Sequence, residues 1–154
     1  MASDGRALTG LWFEGQKYFG STLSGEQEEE DLPVFRQTAE WLDQYFSGKQ
    51  PDFIPELALK GSSFRRLIWD ILLMIPYGHT VTYGEIASAA AKRIGCSRMS
   101  AQAVGAAVGH NPVSLILPCH RVIGSDGSLI GYAGGMARKA ALLALEQGGA
   151  RKKQ

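Results

Sequence analysis

The chain reads as an α+β protein, with a small N-terminal sheet and helix followed by a mostly helical C-terminal part that carries a helix-turn-helix and a reactive cysteine. Three observations predict this. A hairpin pattern rich in β-formers occupies Leu8 to Phe19. Five later segments read as helices, each bounded by a cap or a breaker. A proline-containing stretch, Gln50 to Pro55, separates the first of these helices from the other four. A length of 154 residues allows one large domain or two small ones. The division expected is 1–60 for the sheet and helix, 61–150 for the helical part, and 151–154 for a basic tail.

In order along the chain, Leu8 to Phe13 and Gln16 to Phe19 predict a β-hairpin turning at Glu14-Gly15. Glu26 to Asp31 is an acidic, solvated loop. Pro33 opens a helix to about Ser47, with Val34, Phe35, Trp41, Leu42, Tyr45 and Phe46 as its apolar face and Gly48 as its stop. Ser62 or Ser63 caps the second helix, whose Phe64, Leu67, Ile68, Ile71, Leu72 and Ile75 recur at helical spacing. Thr82-Tyr83-Gly84-Glu85 is a capping-box pattern and opens a third helix that fades near Arg93-Ile94-Gly95. Ser100 caps a fourth, Ala101 to Gly109, which Asn111-Pro112 ends. This pair fits a helix-turn-helix, and on pattern alone it fits an αα-hairpin in the core equally well. Ser125-Asp126-Gly127-Ser128 is a turn, and Met136 to Gln147 a closing helix.

Net charge is only +1, but it is unevenly spread. Lys and Arg against Asp and Glu give −6 over residues 1–61 and +7 over residues 62–154, and +4 remains in the second part without Arg151, Lys152 and Lys153. Such asymmetry points to a phosphate-binding C-terminal part. No apolar stretch is long enough to span a bilayer, and Met1 to Arg6 lacks a signal-peptide core. No membrane association is expected. Two cysteines, Cys96 and Cys119, do not make a disulfide framework, and a cytoplasmic setting is the expectation. Cys96 reads as a loop thiol, and His79 and His110 as surface or turn residues. Two cysteines and three histidines in no ligand spacing predict no metal site.

The chemistry concentrates in Pro118-Cys119-His120-Arg121-Val122. A thiol becomes a strong nucleophile as thiolate, and an imidazole that takes its proton lowers the cost of that state. Adjacency alone does not place the ring on the sulfur. The apolar run Leu115-Ile116-Leu117 leads into the motif and puts the thiol at the mouth of a buried strand. The helix Ala101 to Gly109 is almost all small residues. Its Gly105 and Gly109 each cost about 1 kcal/mol of helix stability. Either tight helix packing or close approach to DNA would account for them. Asn111 suits a helix stop before Pro112. On spacing alone, Glu146 reads as a helix-surface carboxylate.

Taken together, Asn111-Pro112, Pro118-Cys119-His120-Arg121-Val122, Gly131-Tyr132-Ala133-Gly134-Gly135 and Leu142-Leu143-Ala144-Leu145-Glu146 resemble the O6-alkylguanine-DNA alkyltransferases of bacterial type. The resemblance runs from about Leu8 to Glu146, is strongest after Phe64, and is weak before Leu32. It implies suicide repair of DNA. Cys119 accepts the alkyl group of O6-alkylguanine, and of O4-methylthymine too, in a single irreversible turnover without cofactor. The implied partner is double-stranded DNA, entered from the minor groove by a protein acting as a monomer.

The resemblance also assigns roles to individual residues. His120 is the base, acting through a bound water, and Glu146 holds its ring. Asn111 links the recognition helix to the active-site loop. Tyr83 meets the flipped nucleotide, because the methyl carbon cannot reach a thiolate while the base is stacked. Val122, Tyr132, Ala133 and Gly134 wall the base pocket, with backbone amides reading O6 and carbonyls reading the exocyclic amine. Arg65, Gly84 and Ser125 fall at phosphate-contact positions. The chain departs from the family pattern at Gln102, where many members carry an intercalating arginine, and at Ala133, where many carry serine. The stretch from Lys92 to Met99 is also longer than in compact members, and its Arg98 could share the work of Gln102. Family members usually have another strand before Leu8, so the N-terminal sheet is expected to lack an edge.

Two rival readings differ in class. A non-catalytic relative that only binds alkylated DNA has another residue, usually Trp, at the acceptor position, and here that position is Cys119. A cysteine hydrolase using Cys119 and His120 needs an oxyanion hole, which nothing in the sequence marks.

Overall fold

The computed structural model describes residues 1–152, with side chains described as far as Gly148. It is a mixed α+β structure. Of the tail expected at 151–154, Lys153 and Gln154 lie outside the described residues.

Strands β1 (Ala2–Ser3) and β2 (Leu8–Gly10) pair antiparallel. The turn between them is built by Asp4, whose carboxylate accepts from the amides of Arg6 (3.0 Å) and Ala7 (2.9 Å), and by Gly5 at φ +102°. The other edge of β2 is also used. Leu8 bridges to Leu57 through Leu8 N–H to Glu56 O (2.7 Å) and Ala58 N–H to Leu8 O (2.9 Å).

The hairpin expected at Leu8 to Phe19 does not form. Residues from Phe13 to Leu23 run instead as successive tight turns, closed by Gln16 N–H to Phe13 O, Phe19 N–H to Gln16 O and Ser21 N–H to Tyr18 O. The cause is local. Gly15, Tyr18 and Gly20 all sit at φ between +62° and +71°, which no strand tolerates. The Gln16 side chain also takes the Phe13 amide at 2.7 Å, a donor that a hairpin needs for its ladder.

Helix α1 (Pro33–Phe46) starts on Pro33, whose missing N–H is an orphan there in any case. It buries Val34, Thr38, Trp41 and Tyr45 on one stripe, while Phe46 is exposed. Helix α2 (Ser63–Leu73) is capped by Ser62, which accepts from Arg65 N–H. Helix α3 (Tyr83–Ile94) carries the full capping box between Thr82 and Glu85 and ends on Gly95 in the left-handed region. Helix α4 (Ala101–Gly109) is capped by Ser100 and packs on α2 and α3. Its bond to α2 includes Trp69 Nε1–H donating to Ala107 O at 3.0 Å. Helix α5 (Met136–Lys152) is longer than the closing helix expected.

Short strands β3 (Val81–Thr82) and β4 (Val122–Ile123) pair in parallel, which brings the start of α3 beside the segment that follows Cys119. The core is continuous, from Leu8, Leu11, Val34 and Trp41 through Ile68, Trp69 and Leu72 to Val104, Val113, Leu117 and Leu142. Among the described residues, no helix is long and apolar enough to cross a membrane.

Candidate active site

The apolar run before Cys119 is buried as expected but is not a strand. Leu115 adopts φ +72°, and the chain curls through Ile116 N–H to Ser114 O (2.9 Å) and Leu117 N–H to Val113 O (3.0 Å). The curl forms around Asn111. Its Oδ1 accepts from Val113 N–H at 2.8 Å, and its Nδ2 donates to Leu117 O at 2.7 Å and to Cys119 Sγ at 3.0 Å. Asn111 therefore ends the helix and also serves the thiol. A single turn of 3-10 helix, Cys119–Arg121, then buries all three of its side chains. Burial pushes the Cys119 thiol up to about 11, against the pull of the Asn111 hydrogen bond and the Lys139 charge.

His120 and Glu146 meet at full burial. His120 Nε2 lies 2.6 Å from Glu146 Oε1, so this nitrogen carries the proton and donates to the carboxylate. Nδ1 is left as the basic nitrogen, buried and with no hydrogen-bond partner among the described residues. Burial lowers the His120 pKa, and the Glu146 bond opposes that.

Glu146 is not a surface carboxylate. It accepts from Arg121 Nε (2.9 Å) and Nη2 (3.0 Å), from Tyr45 OH (2.8 Å) and from Gly78 N–H (3.1 Å), besides His120. Burial works against its charge, but the His120 and Arg121 bonds outweigh burial and hold its pKa at about 2.

Three side chains of this centre, Tyr45, Arg121 and Lys139, carried no role at the site in the sequence reading, and all three had a visible signal. Tyr45 falls on the stripe Val34, Thr38, Trp41, Tyr45 of α1. Arg121 stands inside the motif itself. Lys139 lies on the buried stripe Lys139, Leu142, Leu143, Glu146 of α5, where charged residues at core spacing call for partners. Its Nζ donates to the carbonyls of Val122 and Ile130.

The pocket residues surround this centre. Tyr132 is buried, its ring centroid 6.5 Å from that of His120. Tyr83 OH donates to Ile130 O at 3.2 Å, and a Cβ on Gly131 would stand only 2.8 Å from that hydroxyl, so Gly131 is required there. A Cβ on Gly134 would meet the Tyr132 ring at 2.7 Å. The carbonyls expected to read a base are already engaged. Ala133 O accepts from Lys17 N–H at 3.1 Å, Gly134 O from Arg138 at 3.3 Å, and Val122 O from Lys139. Each keeps one lone pair for a further donor.

Most of the positions expected to contact DNA are at the surface. Gly84, Ser125, Gln102 and Arg98 are exposed, and Arg65 is half-buried at the start of α2. Helix α4 buries Val104, Ala107 and Val108 and turns Gln102, Ala103 and Ala106 outward. A Cβ on Gly105 would make only an ordinary 3.9 Å contact with Tyr83, and one on Gly109 would meet nothing within 4 Å. Tight packing inside the protein therefore does not explain these two glycines. His110 ends the helix with Nδ1 on Ala106 O at 2.7 Å, and His79 bonds Tyr77 O at 3.1 Å. Both are turn residues. Cys96 is exposed in the loop between α3 and α4.

Comparison with known proteins shows the family to which this fold belongs. Residues 63–148 match the family described as 6-O-methylguanine DNA methyltransferase, DNA binding domain, and residues 1–59 match its ribonuclease-like domain. The methylated-DNA–protein-cysteine methyltransferase of Mycobacterium tuberculosis is 44% identical over 147 residues, covering 96% of this chain and 84% of that protein. The protein of the same name from Haemophilus influenzae is 41% identical, covering 94% and 78%. A crystal structure of Mycobacterium tuberculosis OGT in complex with DNA superposes with a TM-score of 0.81 at 43% identity, over 96% of this chain and 85% of that one. The chain belongs to the 6-O-methylguanine DNA methyltransferase family.

Proposed function

We propose that this protein repairs O6-alkylguanine in double-stranded DNA by moving the alkyl group to Cys119, once per molecule. The observation that carries the reading is two buried sets of contacts on either side of the motif, one from Asn111 to the Cys119 thiol and one from the His120 ring to Glu146, which also binds Arg121. The thiol proton passes to His120 Nδ1 through one water. The imidazolium that forms is held by Glu146, which is already ionised. The thiolate then attacks the alkyl carbon, the carbon–O6 bond breaks, and guanine takes up the proton that the thiol gave. The products are S-alkylcysteine and guanine, so no cofactor is needed. Reversal would have to expel the Cys119 thiolate from its own thioether, where it is a poor leaving group, and the transfer ends there.

In this reading residues 61–150 bind the DNA and hold the acceptor, and residues 1–60 pack against them. Helix α4 enters the minor groove. Its half-buried Gly105 and Gly109 keep the helix thin so that backbone and duplex come close, and Gln102 fills the space of the extruded base. Tyr83 faces the pocket across Gly131. Val122, Tyr132, Ala133 and Gly134 enclose the base, and Arg65, Gly84 and Ser125 contact phosphates. The positive balance of residues 62–154 supplies affinity. The buried Arg121–Glu146 pair cancels internally and takes nothing from it. A free thiol as acceptor fits a reducing compartment, the cytoplasm.

The test separates chemistry from binding. Cys119→Ser should abolish transfer from an O6-methylguanine duplex and keep duplex affinity, and that affinity should fall steeply as salt rises. A Ser variant that still removes the methyl group contradicts the reading. So does binding that is indifferent to salt.

A further inference from the structure

We propose that Tyr45, on the first helix, is a positioning residue of the reaction centre, its hydroxyl setting how strongly Glu146 draws on His120. The inference rests on the alkyl-transfer reading above and adds to it a group from the N-terminal part of the chain. Glu146 Oε1 is the atom that faces His120 Nε2 at 2.6 Å, and the same atom accepts from Tyr45 OH at 2.8 Å. The phenol oxygen is itself 3.3 Å from Nε2. Phenol and imidazole thus share one carboxylate oxygen. Each donor on that oxygen stabilises the ionised carboxylate and lowers its pull on the other protons. Tyr45 therefore limits how far Glu146 can raise the proton affinity of His120, and keeps Nδ1 neutral and ready to accept.

The placement is rigid. Tyr45 is fully buried, its ring stacks on Trp41 at 5.2 Å and 8°, and Tyr77 and His120 meet it edge-on at 6.2 Å and 6.3 Å. Phenylalanine would fill the same volume, so packing alone does not call for the hydroxyl. Burial and the Glu146 charge raise the phenol pKa, which keeps the proton on oxygen as a permanent donor. The titratable and charged groups around His120 come from every neighbouring element. They are Tyr45 from α1, Tyr77 behind it, Cys119 and Arg121 from the 3-10 turn, Tyr132 from the pocket loop, and Lys139 and Glu146 from α5. Of these, Tyr45, Arg121 and Glu146 form the bonded set at Oε1.

The experiment uses the full chain with Tyr45→Phe. Two readouts are followed against pH: the single-turnover rate of methyl transfer from O6-methylguanine, and the nitrogen NMR shifts of the His120 ring. Loss of the competing donor should move the acid limb of the rate and the His120 titration together to higher pH. The shift expected is about half a pH unit, roughly a threefold gain in proton affinity. Site-specific fluorotyrosine at position 45 is a stronger donor of unchanged shape. It should move both readouts the other way, and it decides the matter if the Phe variant does not fold. A His120 titration that stays at its wild-type position in the variant that folds overturns the inference. If wild-type protein accepts no methyl group, the alkyl-transfer reading falls by itself, and the NMR titration still decides for or against Tyr45.

Discussion

Asn111 and Cys119, eight residues apart in sequence, are joined by a 3.0 Å hydrogen bond from the amide nitrogen to sulfur. The same amide caps the curl of Val113 to Leu117 and follows directly on the end of α4. One side chain thus couples the helix proposed to meet DNA with the thiol proposed to react. An amide N–H pointing at sulfur favours thiolate over thiol, in opposition to the burial that suppresses it. On the far side of the motif, Glu146 is held by donors from three separate segments of chain: Tyr45, Gly78 and the His120-Arg121 turn.

The buried His120–Glu146 pair predicts acid lability in two stages. His120 titrates below its ordinary 6.5 because burial penalises its cation, so below pH 6.5 the unfolded chain takes a proton that the folded one refuses. Glu146 is held at about 2 against an ordinary 4.5, so its contribution is complete above pH 4.5 and is lost as pH falls from there toward 2. Thermal midpoints should therefore decline from pH 6.5 downward and more steeply below 4.5. His120→Gln should flatten the upper stage and shrink the lower one, since the His120 bond is among those that hold Glu146 low. A midpoint constant between pH 7 and 4 contradicts this picture of the pair.

Gly105→Ala and Gly109→Ala should each stabilise the protein by up to about 1 kcal/mol, because alanine is the better helix former and the added methyl has room. Both should nevertheless weaken duplex binding if α4 needs a thin face against DNA. Calorimetric unfolding alongside a binding titration reads both effects. Higher stability with unchanged affinity would show that the glycines serve no close approach.

Gln102 is exposed on the outward face of α4 and is proposed to fill the gap left by the extruded guanine. Gln102→Ala should slow repair of duplex DNA severalfold and leave reaction with the free base unchanged, since the free base needs no flipping. Gln102→Arg should keep or raise the duplex rate. If Arg98, also exposed, is the wedge, the duplex rate will fall in Arg98→Ala and stay unchanged in Gln102→Ala. Single-turnover rates of the Ala variants on both substrates distinguish the two.

Much of the fold was legible because its signals are local. The capping box at Thr82 and Glu85, the caps at Ser62 and Ser100 and the stop at Gly95 stand where the sequence places them. Failures came where left-handed backbone and short-range side-chain hydrogen bonds override the apolar pattern. The β-formers Trp12, Tyr18 and Phe19 suggested a strand pair, but left-handed residues and the Gln16 side chain wind that segment into turns, which keep Trp12 and Phe19 in contact at 5.7 Å. Leu115 to Leu117 looked like a buried strand because periodicity cannot see the Asn111 amide around which the run curls.

The site divides in the same way. Cys119 and His120 stand out by the Pro118-Cys119-His120-Arg121-Val122 string and its apolar lead-in, whereas the roles proposed for Glu146 and Asn111 came from family resemblance. Tyr45 and Lys139 carry a signal, a polar residue on an apolar stripe, but the stripe does not say which partner each meets until distant helices are brought together.

The central claim is that Cys119 is the acceptor and is consumed in the act. It is tested most directly by incubating the protein with excess duplex carrying O6-methylguanine and weighing the intact chain and its peptides at the end point. The predicted result is a gain of one methyl group per molecule, located on the peptide that holds Cys119, with repair halting at one equivalent. Repair continuing past one equivalent, or a methyl group found on any other residue, would contradict it.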